Sequence, residues 1–168
     1  MIVTFANMQE TLILTHHPIM AKLERMAWEI YENHYREKTI LLAGIEGTGE
    51  WIAMNLKGLI EKICPLIVNC CSLPVKTQDH VNVHDFIQDP TTVVIVVDDV
   101  LYSGKTMMKA LLPFINAGVS VLEVAVLVNR TQRRYPIYPT YTGLNLATTL
   151  QEMVEVRQIE NQLEVILR

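Results

Sequence analysis

The stretch "VVIVVDDVLYSGKT", residues 93–106, decides the fold of this chain. Its first five residues are apolar β-formers in an unbroken run, which is typical of a strand covered on both faces. Asp98 and Asp99 follow at the carboxyl end of that strand, and Ser103-Gly104-Lys105-Thr106 begins a helix. Because ligands of open α/β sheets bind beyond the carboxyl ends of the strands, the stretch predicts a binding site at this junction.

The residue types at the junction favour a sugar phosphate. The first N–H groups of a helix lack helical partners and, with the positive end of the helix dipole, attract an anion. Gly104 lets the backbone approach such an anion closely. Asp98 and Asp99 would repel phosphate, but they can accept hydrogen bonds from vicinal hydroxyls or face a divalent cation. A ribose 5-phosphate satisfies both halves of the junction.

Three other interpretations of these glycine and acidic residues were weighed. The nucleotide-hydrolysing P-loop, G-x-x-x-x-G-K-[ST], needs a glycine five residues before Gly104, where Asp99 stands. The segment "GIEGTG", residues 44–49, reads G-x-x-G-x-G and therefore departs from the dinucleotide fingerprint G-x-G-x-x-G. In the third interpretation, which stays open, Asp98 and Asp99 only cap the following helix.

The rest of the chain alternates helical and strand patterns, which predicts an α/β fold with a mainly parallel central sheet. The helices are predicted over residues 17–35, 49–63 and 105–117, and the strands over residues 39–43, 65–75, 93–97 and 121–129. The tail differs, because residues 152–159 and 162–167 alternate apolar and polar side chains. This pattern predicts a C-terminal antiparallel hairpin or an edge addition to the sheet.

Composition limits the class of protein and its partners. A chain of 168 residues, half of them hydrophobic, is expected to form a single domain over residues 1–168. Its net charge of −4 does not favour nucleic acid as the default partner. The three cysteines are odd in number, which favours reduced thiols, and no apolar run is long enough to span a bilayer. We therefore expect a cytoplasmic protein with no membrane partner.

At family level, "VVIVVDDVLYSGKT" resembles the phosphoribosyl-diphosphate signature of type I phosphoribosyltransferases. Its D-D-V-L-Y-[ST]-G-[RK]-T form is that of the pyrimidine-operon attenuation regulators, which also have uracil phosphoribosyltransferase activity. Residues 124–137 and 141–146 resemble that family's downstream strand, basic turn and Y-[IV]-G-K-N segment, and residues 41–53 resemble its diphosphate loop. The resemblance runs from about residue 10 to the end and implies a type I phosphoribosyltransferase-like, three-layer α/β fold.

The resemblance also implies roles for individual residues. Asp98 and Asp99 would be catalytic, holding the ribose 2- and 3-hydroxyls, and would form an indirect Mg²⁺ site through those hydroxyls or water. The 5-phosphate would be wrapped by Tyr102, Ser103, Gly104, Lys105 and Thr106. The diphosphate loop would consist of Gly44, Ile45, Glu46 and Gly47, with a strained or cis peptide at Glu46-Gly47.

Two further expectations concern the basic turn and the base. Arg130, with Arg133 and Arg134 beside it, would lie near the diphosphate and the contact of a homodimer, and Arg130 is the expected catalytic cation. Purine members of the family have an aspartate where Tyr102 stands. A phenol is a poor base at neutral pH, so Tyr102 favours a pyrimidine over a purine. The alternative for Tyr102 is an aromatic lid packed on the helix start.

Departures from the family pattern keep several functions open. The family's G-I-K-T-R-G reads G-I-E-G-T-G here, so both cations are lost. The segment that covers the site, residues 73–90, is shorter and offers only Lys76, His80 and His84. The RNA-binding T-R-x-x-H reads "ERMAW" and keeps only Arg25. The sequence therefore predicts a Mg²⁺-dependent phosphoribosyltransferase acting on a pyrimidine such as uracil, with a low-turnover nucleotide sensor and, less favoured, an RNA-binding attenuator as alternatives.

Overall fold

The computed structural model describes residues 10–75, 82–87, 89, 91–149 and 151–168. The strands in these ranges are β1 (Thr11–Leu14), β2 (Thr39–Ile45), β3 (Ile67–Leu73), β4 (Val93–Leu101), β5 (Val121–Arg130), β6 (Tyr141–Leu146), β7 (Val154–Ile159) and β8 (Gln162–Leu167). The α-helices are α1 (His16–His34), α2 (Thr48–Ile63) and α3 (Lys105–Asn116), and Val83–Asp85 forms a turn of 3-10 helix.

The central sheet has the strand order β3-β2-β4-β5-β6, and every neighbouring pair is parallel. The predicted α/β class is thus confirmed. The order reverses between β2 and β4. From β2 the chain passes through α2 to β3 on one side, and from β4 it passes through α3 to β5 on the other. The two loops leave the carboxyl ends of adjacent strands in opposite directions and open the crevice where such sheets bind ligands.

Helices cover both faces of this sheet, which gives the expected three layers. On one face, α1 and α2 bury apolar side chains such as Leu23 and Leu56. On the other face, α3 buries Met107 and Phe114. Successive residues of β4 point alternately into these two cores, so both faces of the strand must be apolar. This explains the unbroken run that begins at Val93.

The C-terminal hairpin is confirmed, but it does not extend the central sheet. β7 and β8 pair antiparallel, and β8 also pairs with β1 to form a separate sheet of order β1-β8-β7. The alternative of an edge addition was wrong, because β8 pairs with β1 and β7 in a separate sheet and, within the described ranges, neither hairpin strand pairs with the central sheet. Strand β1 has only four residues and is held by its distant partner β8, so its own sequence carried no signal for it.

Two strands run further than their apolar runs predicted. β2 includes Gly44 and Ile45, and β4 continues through the two aspartates because its pairing with β5 persists to Leu101.

Among the described residues, no helix combines the length and apolarity needed to cross a bilayer. The three cysteines are free thiols, and burial raises the pKa of Cys70 to about 11 and that of Cys71 to about 12. These two thiols are therefore protonated at neutral pH.

Candidate functional site

Asp98 and Asp99 lie half-buried near the end of β4, at the strand-order reversal. The N–H of Asp99 donates to Oδ1 of Asp98 at 2.9 Å, and the N–H of Val100 donates to Oδ1 of Asp99 at 2.6 Å. A carboxylate offers about four acceptor positions, so a single N–H bond leaves Asp99 able to accept from a hydroxyl. The aspartates are part of the ordered strand, and neither caps α3, which begins at Lys105.

The loop after the aspartates forms the start of α3. Gly104 is its N-cap, with φ of 84° and ψ of −5°, the left-handed conformation that favours glycine. A Cβ there would also lie 3.2 Å from Cβ of Tyr135. The N–H of Lys105 lies 3.4 Å from Oγ of Ser103, and the side chains of Lys105 and Thr106 are exposed. Backbone amides and exposed donors thus meet at one helix end, as an anion site requires.

The basic turn predicted from residues 130–134 packs directly on this loop. The N–H groups of Arg134 and Tyr135 both donate to the carbonyl of Ser103 at 3.1 Å. A cavity of about 710 Å³ opens between the turn and the loop, lined by Tyr102, Ser103 and residues 130–134. The guanidinium of Arg133 is used within the turn, where it donates to the carbonyl of Ile137 and to Asn129. The Arg134 side chain is exposed.

Arg130 lies at this cavity, but its guanidinium is hydrogen-bonded to other parts of the chain. Its side chain is only 2% exposed, and its guanidinium lies over the Tyr102 ring with Cζ 3.8 Å from the ring centre. Nε donates to Oγ1 of Thr148 at 2.7 Å, and Nη2 donates to the carbonyls of Thr149 and Glu152 at 3.1 Å. The expected direct contact with diphosphate would have to break these bonds, so the geometry favours an internal role.

Tyr102 shares one of these acceptors. Its hydroxyl donates to the carbonyl of Glu152 at 3.1 Å, while the ring remains 40% exposed. The Glu152 carboxylate accepts from the N–H of Thr149 at 2.6 Å; this bond, with a smaller contribution from the Arg130 charge, lowers the pKa of Glu152. Nothing in the sequence around Thr148, Thr149 and Glu152 indicated that these residues would support the site.

The predicted diphosphate loop joins β2 to α2. Gly47 has φ of 94° and ψ of −126°, a conformation that glycine adopts readily, and the peptide bonds of the loop are trans. Ile45 is buried in the core on the α3 side, so only its backbone faces the crevice. The N–H of Glu46 donates to the carbonyl of Leu73 at 3.1 Å. Oγ of Ser72 donates to Oε2 of Glu50 at 3.2 Å. Residues 44–56 contain no lysine or arginine, so this side of the crevice is acidic.

Two buried glycines pack the first turn of α2 closely against β2 and β4. A Cβ at Gly44 would stand 2.5 Å from Cα of Glu50, and one at Gly49 would stand 2.8 Å from the carbonyl oxygen of Val97. Real Cβ atoms do not approach this closely, so both positions require glycine for space. Gly44 was predicted as a loop residue, whereas Gly49 was missed. The sequence did contain a signal for Gly49: a glycine just inside the start of a helix lowers helix propensity, so its presence there indicates a need for space.

The other expected groups contribute little to the described site. Of the residues expected to cover it, Lys76 and His80 lie outside the described residues, and His84 lies in the 3-10 helix. Arg25, the cation kept from the RNA-binding pattern, donates to the carbonyls of Thr142 and Gly143 on the edge strand β6 and pairs with Glu29. Within the described ranges, no group of three or more His, Cys, Asp or Glu residues is arranged to hold a metal ion.

Comparisons with known proteins agree with this geometry. The bifunctional protein PyrR of Brevibacillus brevis is 32% identical over 163 residues, which cover 90% of this chain and 91% of that protein. PyrR of Bacillus pumilus is 34% identical over 164 residues, which cover 89% of this chain and 91% of that protein.

Solved structures share the fold at much lower identity. Hypoxanthine phosphoribosyltransferase from Trypanosoma cruzi, in complex with IMP, gives a TM-score of 0.69 at 12% identity, covering 86% of this chain and 79% of that chain. A hypoxanthine-guanine phosphoribosyltransferase from Bacillus anthracis gives 0.68 at 17% identity, covering 94% and 99%. The family model of the phosphoribosyl transferase domain matches residues 10–156. With that match and relatives above 30% identity along about nine-tenths of its length, the chain belongs to the phosphoribosyl transferase domain family.

Proposed function

We propose that this protein binds 5-phosphoribosyl diphosphate and transfers the phosphoribosyl group to a nitrogenous base, releasing diphosphate. The observation that carries the proposal is the junction of β4 and α3 at the strand-order reversal. There, two half-buried carboxylates near the end of β4 are followed closely along the chain by the amide-rich start of α3. The PyrR relatives favour a pyrimidine such as uracil as the base.

The ribose 5-phosphate half of the ligand is the best supported. Asp98 and Asp99 would accept hydrogen bonds from the ribose 2- and 3-hydroxyls. The amides of residues 103–106, with the hydroxyl of Thr106 and the exposed Lys105 beside them, would bind the 5-phosphate. Arg134 is the exposed cation of the turn whose backbone is hydrogen-bonded to Ser103, and it adds positive charge on the same side.

The reaction follows from holding the sugar between its two ends. The bond between C1 and the diphosphate oxygen breaks, diphosphate leaves with the electron pair, and a ring nitrogen of the base forms the new bond to C1. The proton on that nitrogen is released to solvent. The chain contributes by orienting the sugar and the base and by placing the acids of β4 beside a sugar that gains positive charge. No covalent bond to the protein is involved.

The donor set of the site fits Mg²⁺ that arrives with the substrate. Mg²⁺ is usually bound through one or two carboxylates together with substrate phosphates. Asp98 and Asp99 supply such a carboxylate pair and would hold the ion indirectly, through ribose hydroxyls or water. When bound, Mg²⁺ would neutralise charge on the diphosphate leaving group.

Slow turnover is the second part of the proposal. The loop of residues 44–47 would bind the diphosphate through its backbone, but Glu46 and the nearby Glu50 bring negative charge to the same side. With no lysine or arginine in residues 44–56, a diphosphate is bound less favourably there than a 5-phosphate is at α3. This observation favours a nucleotide-sensing regulator with little turnover as the second candidate function.

RNA binding is the least supported function. Arg25 already donates to two β6 carbonyls and pairs with Glu29, so binding an RNA phosphate would compete with these contacts. The neighbouring Glu24 and the net charge of −4 oppose it further. A homodimer remains what the family resemblance implies for assembly, and a cytoplasmic location remains the expectation from the sequence composition.

Two measurements on the purified chain separate these functions. Isothermal titration with 5-phosphoribosyl diphosphate and Mg²⁺, and separately with ribose 5-phosphate, tests the site. Diphosphate release with uracil, compared with cytosine, hypoxanthine and guanine, tests the reaction. We expect binding of both ligands and slow release with uracil. Binding without release for every base would leave only the sensor, whereas absence of binding by either ligand would exclude the proposed site.

A further inference from the structure

The clearest feature of the site that the reaction above leaves unused is the immobilised ring of Tyr102. One face of the ring is covered by the guanidinium of Arg130, whose Cζ lies 3.8 Å from the ring centre. The hydroxyl is tied to the carbonyl of Glu152 at 3.1 Å. Since the residue is still 40% exposed, its accessible surface lies on the parts of the side chain that Arg130 does not cover.

Arg130 is itself held at several points. Its side chain is 2% exposed and donates to Thr148, Thr149 and Glu152. The carbonyl of Glu152 accepts from both Arg130 and the Tyr102 hydroxyl, so the two side chains share one anchor. A guanidinium is planar and matches an aromatic face, which an ammonium group cannot do equally well. The arrangement fixes the plane of the ring before any ligand binds.

The ring also stands at the correct place along the chain to meet a base. In the sequence, Tyr102 follows the aspartates proposed for the ribose hydroxyls and precedes the residues proposed for the 5-phosphate. Its side chain lines the cavity of about 710 Å³. Exposed aromatic faces bind nucleobases by stacking, with little dependence on the identity of the base. Resting on the proposed function, we propose that the open face of Tyr102 is the stacking platform for the base and that Arg130 is a positioning residue that holds this platform.

A second arginine–tyrosine pair in the chain provides a matched control. Arg133 lies over the ring of Tyr138 with Cζ 4.6 Å from its centre, but Tyr138 is 79% exposed. Because Tyr138 is so exposed, its ring lies outside the packed part of the site. Tyr102, in contrast, is held at its face by Arg130 and at its hydroxyl by the carbonyl of Glu152. Replacing each tyrosine by leucine therefore removes the same ring from two differently built pairs.

The test compares two ligands that differ only in the base. Ribose 5-phosphate and uridine 5-phosphate are titrated into the full chain and into Tyr102→Leu, Tyr102→Phe, Arg130→Met, Arg130→Lys and Tyr138→Leu, with thermal melts to verify folding. We expect Tyr102→Leu to lower the affinity for uridine 5-phosphate about tenfold or more. Its affinity for ribose 5-phosphate should fall much less, because Tyr102 would contribute only its backbone to the loop around the 5-phosphate. Tyr102→Phe keeps the ring and should retain most of the preference for the nucleotide, and Tyr138→Leu should retain all of it.

For Arg130 the ratio of the two affinities is the informative quantity, because general damage to the fold lowers both equally. Arg130→Met should reduce the ratio of the affinity for uridine 5-phosphate to the affinity for ribose 5-phosphate. Arg130→Lys should reduce this ratio by a smaller amount. If Arg130→Met does not fold, the Tyr102 variants decide. An unchanged ratio in Tyr102→Leu overturns the stacking platform while leaving the proposed function intact. Failure of the unaltered chain to bind ribose 5-phosphate overturns the proposed function itself, and this inference with it.

Discussion

Gly49 presses against the backbone of Asp98. A Cβ built on Gly49 would lie 2.8 Å from the carbonyl oxygen of Val97 and 3.2 Å from Cα of Asp98. The first turn of α2 therefore touches the end of β4 with no side chain between them. Through this contact, the loop proposed for the diphosphate and the aspartates proposed for the ribose are fixed relative to each other.

The contact predicts a large difference between two glycines of the same helix. Gly49→Ala should destabilise the protein by about 1–3 kcal/mol, the usual cost of an extra methyl group in a packed region, and should weaken ligand binding because Asp98 must shift. Gly58→Ala has open space around the new methyl group and should stabilise by up to about 1 kcal/mol through helix propensity. Urea unfolding and titration with ribose 5-phosphate measure both effects. Equal stability of the two variants would contradict the close approach.

A second prediction concerns Asp99, near the end of β4, and Thr106, in the first turn of α3. Asp99→Asn and Thr106→Ala should each weaken binding of 5-phosphoribosyl diphosphate by about 1–3 kcal/mol, the scale of a lost charged or buried hydrogen bond. Asp85→Asn is the control, because Asp85 lies in the 3-10 helix, beside Thr39 at the amino end of β2. Titration calorimetry is the measurement. Unchanged affinity in both site variants would place the ligand elsewhere.

The sequence predicted the parts of the site that depend on neighbouring residues. The apolar run from Val93, the aspartates after it and Gly104 are local signals, because strand burial, acid position and a positive φ each leave a mark on adjacent residues. The mainly parallel character of the central sheet followed from the alternation of helical and strand patterns. Strand β1 could not be predicted because it is short and its partner β8 lies far away in the sequence. Strand β6 could not be predicted because its apolar content is low.

The role of Arg130 could not be predicted in this way. Its charge suggested a phosphate ligand, whereas its actual partners are carbonyl and hydroxyl groups of residues about 20 positions later, together with an aromatic ring about 30 positions earlier. Those contacts require the residues just before β7 to lie against the end of β5 and the loop after β4. The sequence therefore indicated a cation at this turn, but not the protein groups that hold it.

A third prediction tests the acidic side of the crevice. Glu46→Lys should tighten binding of 5-phosphoribosyl diphosphate by about 1 kcal/mol, because a repelling charge becomes an attracting one near the diphosphate. The gain should shrink as ionic strength rises. Binding of ribose 5-phosphate, which lacks the diphosphate, should change much less. Glu37→Lys makes the same charge change at the opposite end of β2, just before Thr39, and should have little effect on either ligand. A similar gain in both variants would indicate an effect of net charge alone.

The fourth prediction comes from a polar cluster between α1 and the edge of the sheet. Oε2 of Glu123 accepts from the Tyr141 hydroxyl at 2.8 Å and lies 2.8 Å from Nε2 of His34. Burial by itself would raise the pKa of Glu123, but the hydrogen bonds from His34 and Tyr141 and the charge of His34 together lower it below its ordinary 4.5. Because the folded state favours the ionised carboxylate, Glu123 stabilises the fold at pH values above 4.5, and this contribution is lost as the pH falls through the lowered pKa.

Glu123→Gln should therefore cost roughly 1–2 kcal/mol at neutral pH, the scale of hydrogen bonds to a charged group, and the difference from the unaltered protein should narrow below pH 4.5. Glu32→Gln removes the same charge from an exposed position on α1 and should change stability by less than about 0.5 kcal/mol. Urea unfolding of the three proteins from pH 3 to 7, roughly the range over which carboxylates titrate, gives the comparison. A constant difference across that range would mean that Glu123 contributes by packing alone, because only an ionisation-linked contribution disappears on protonation.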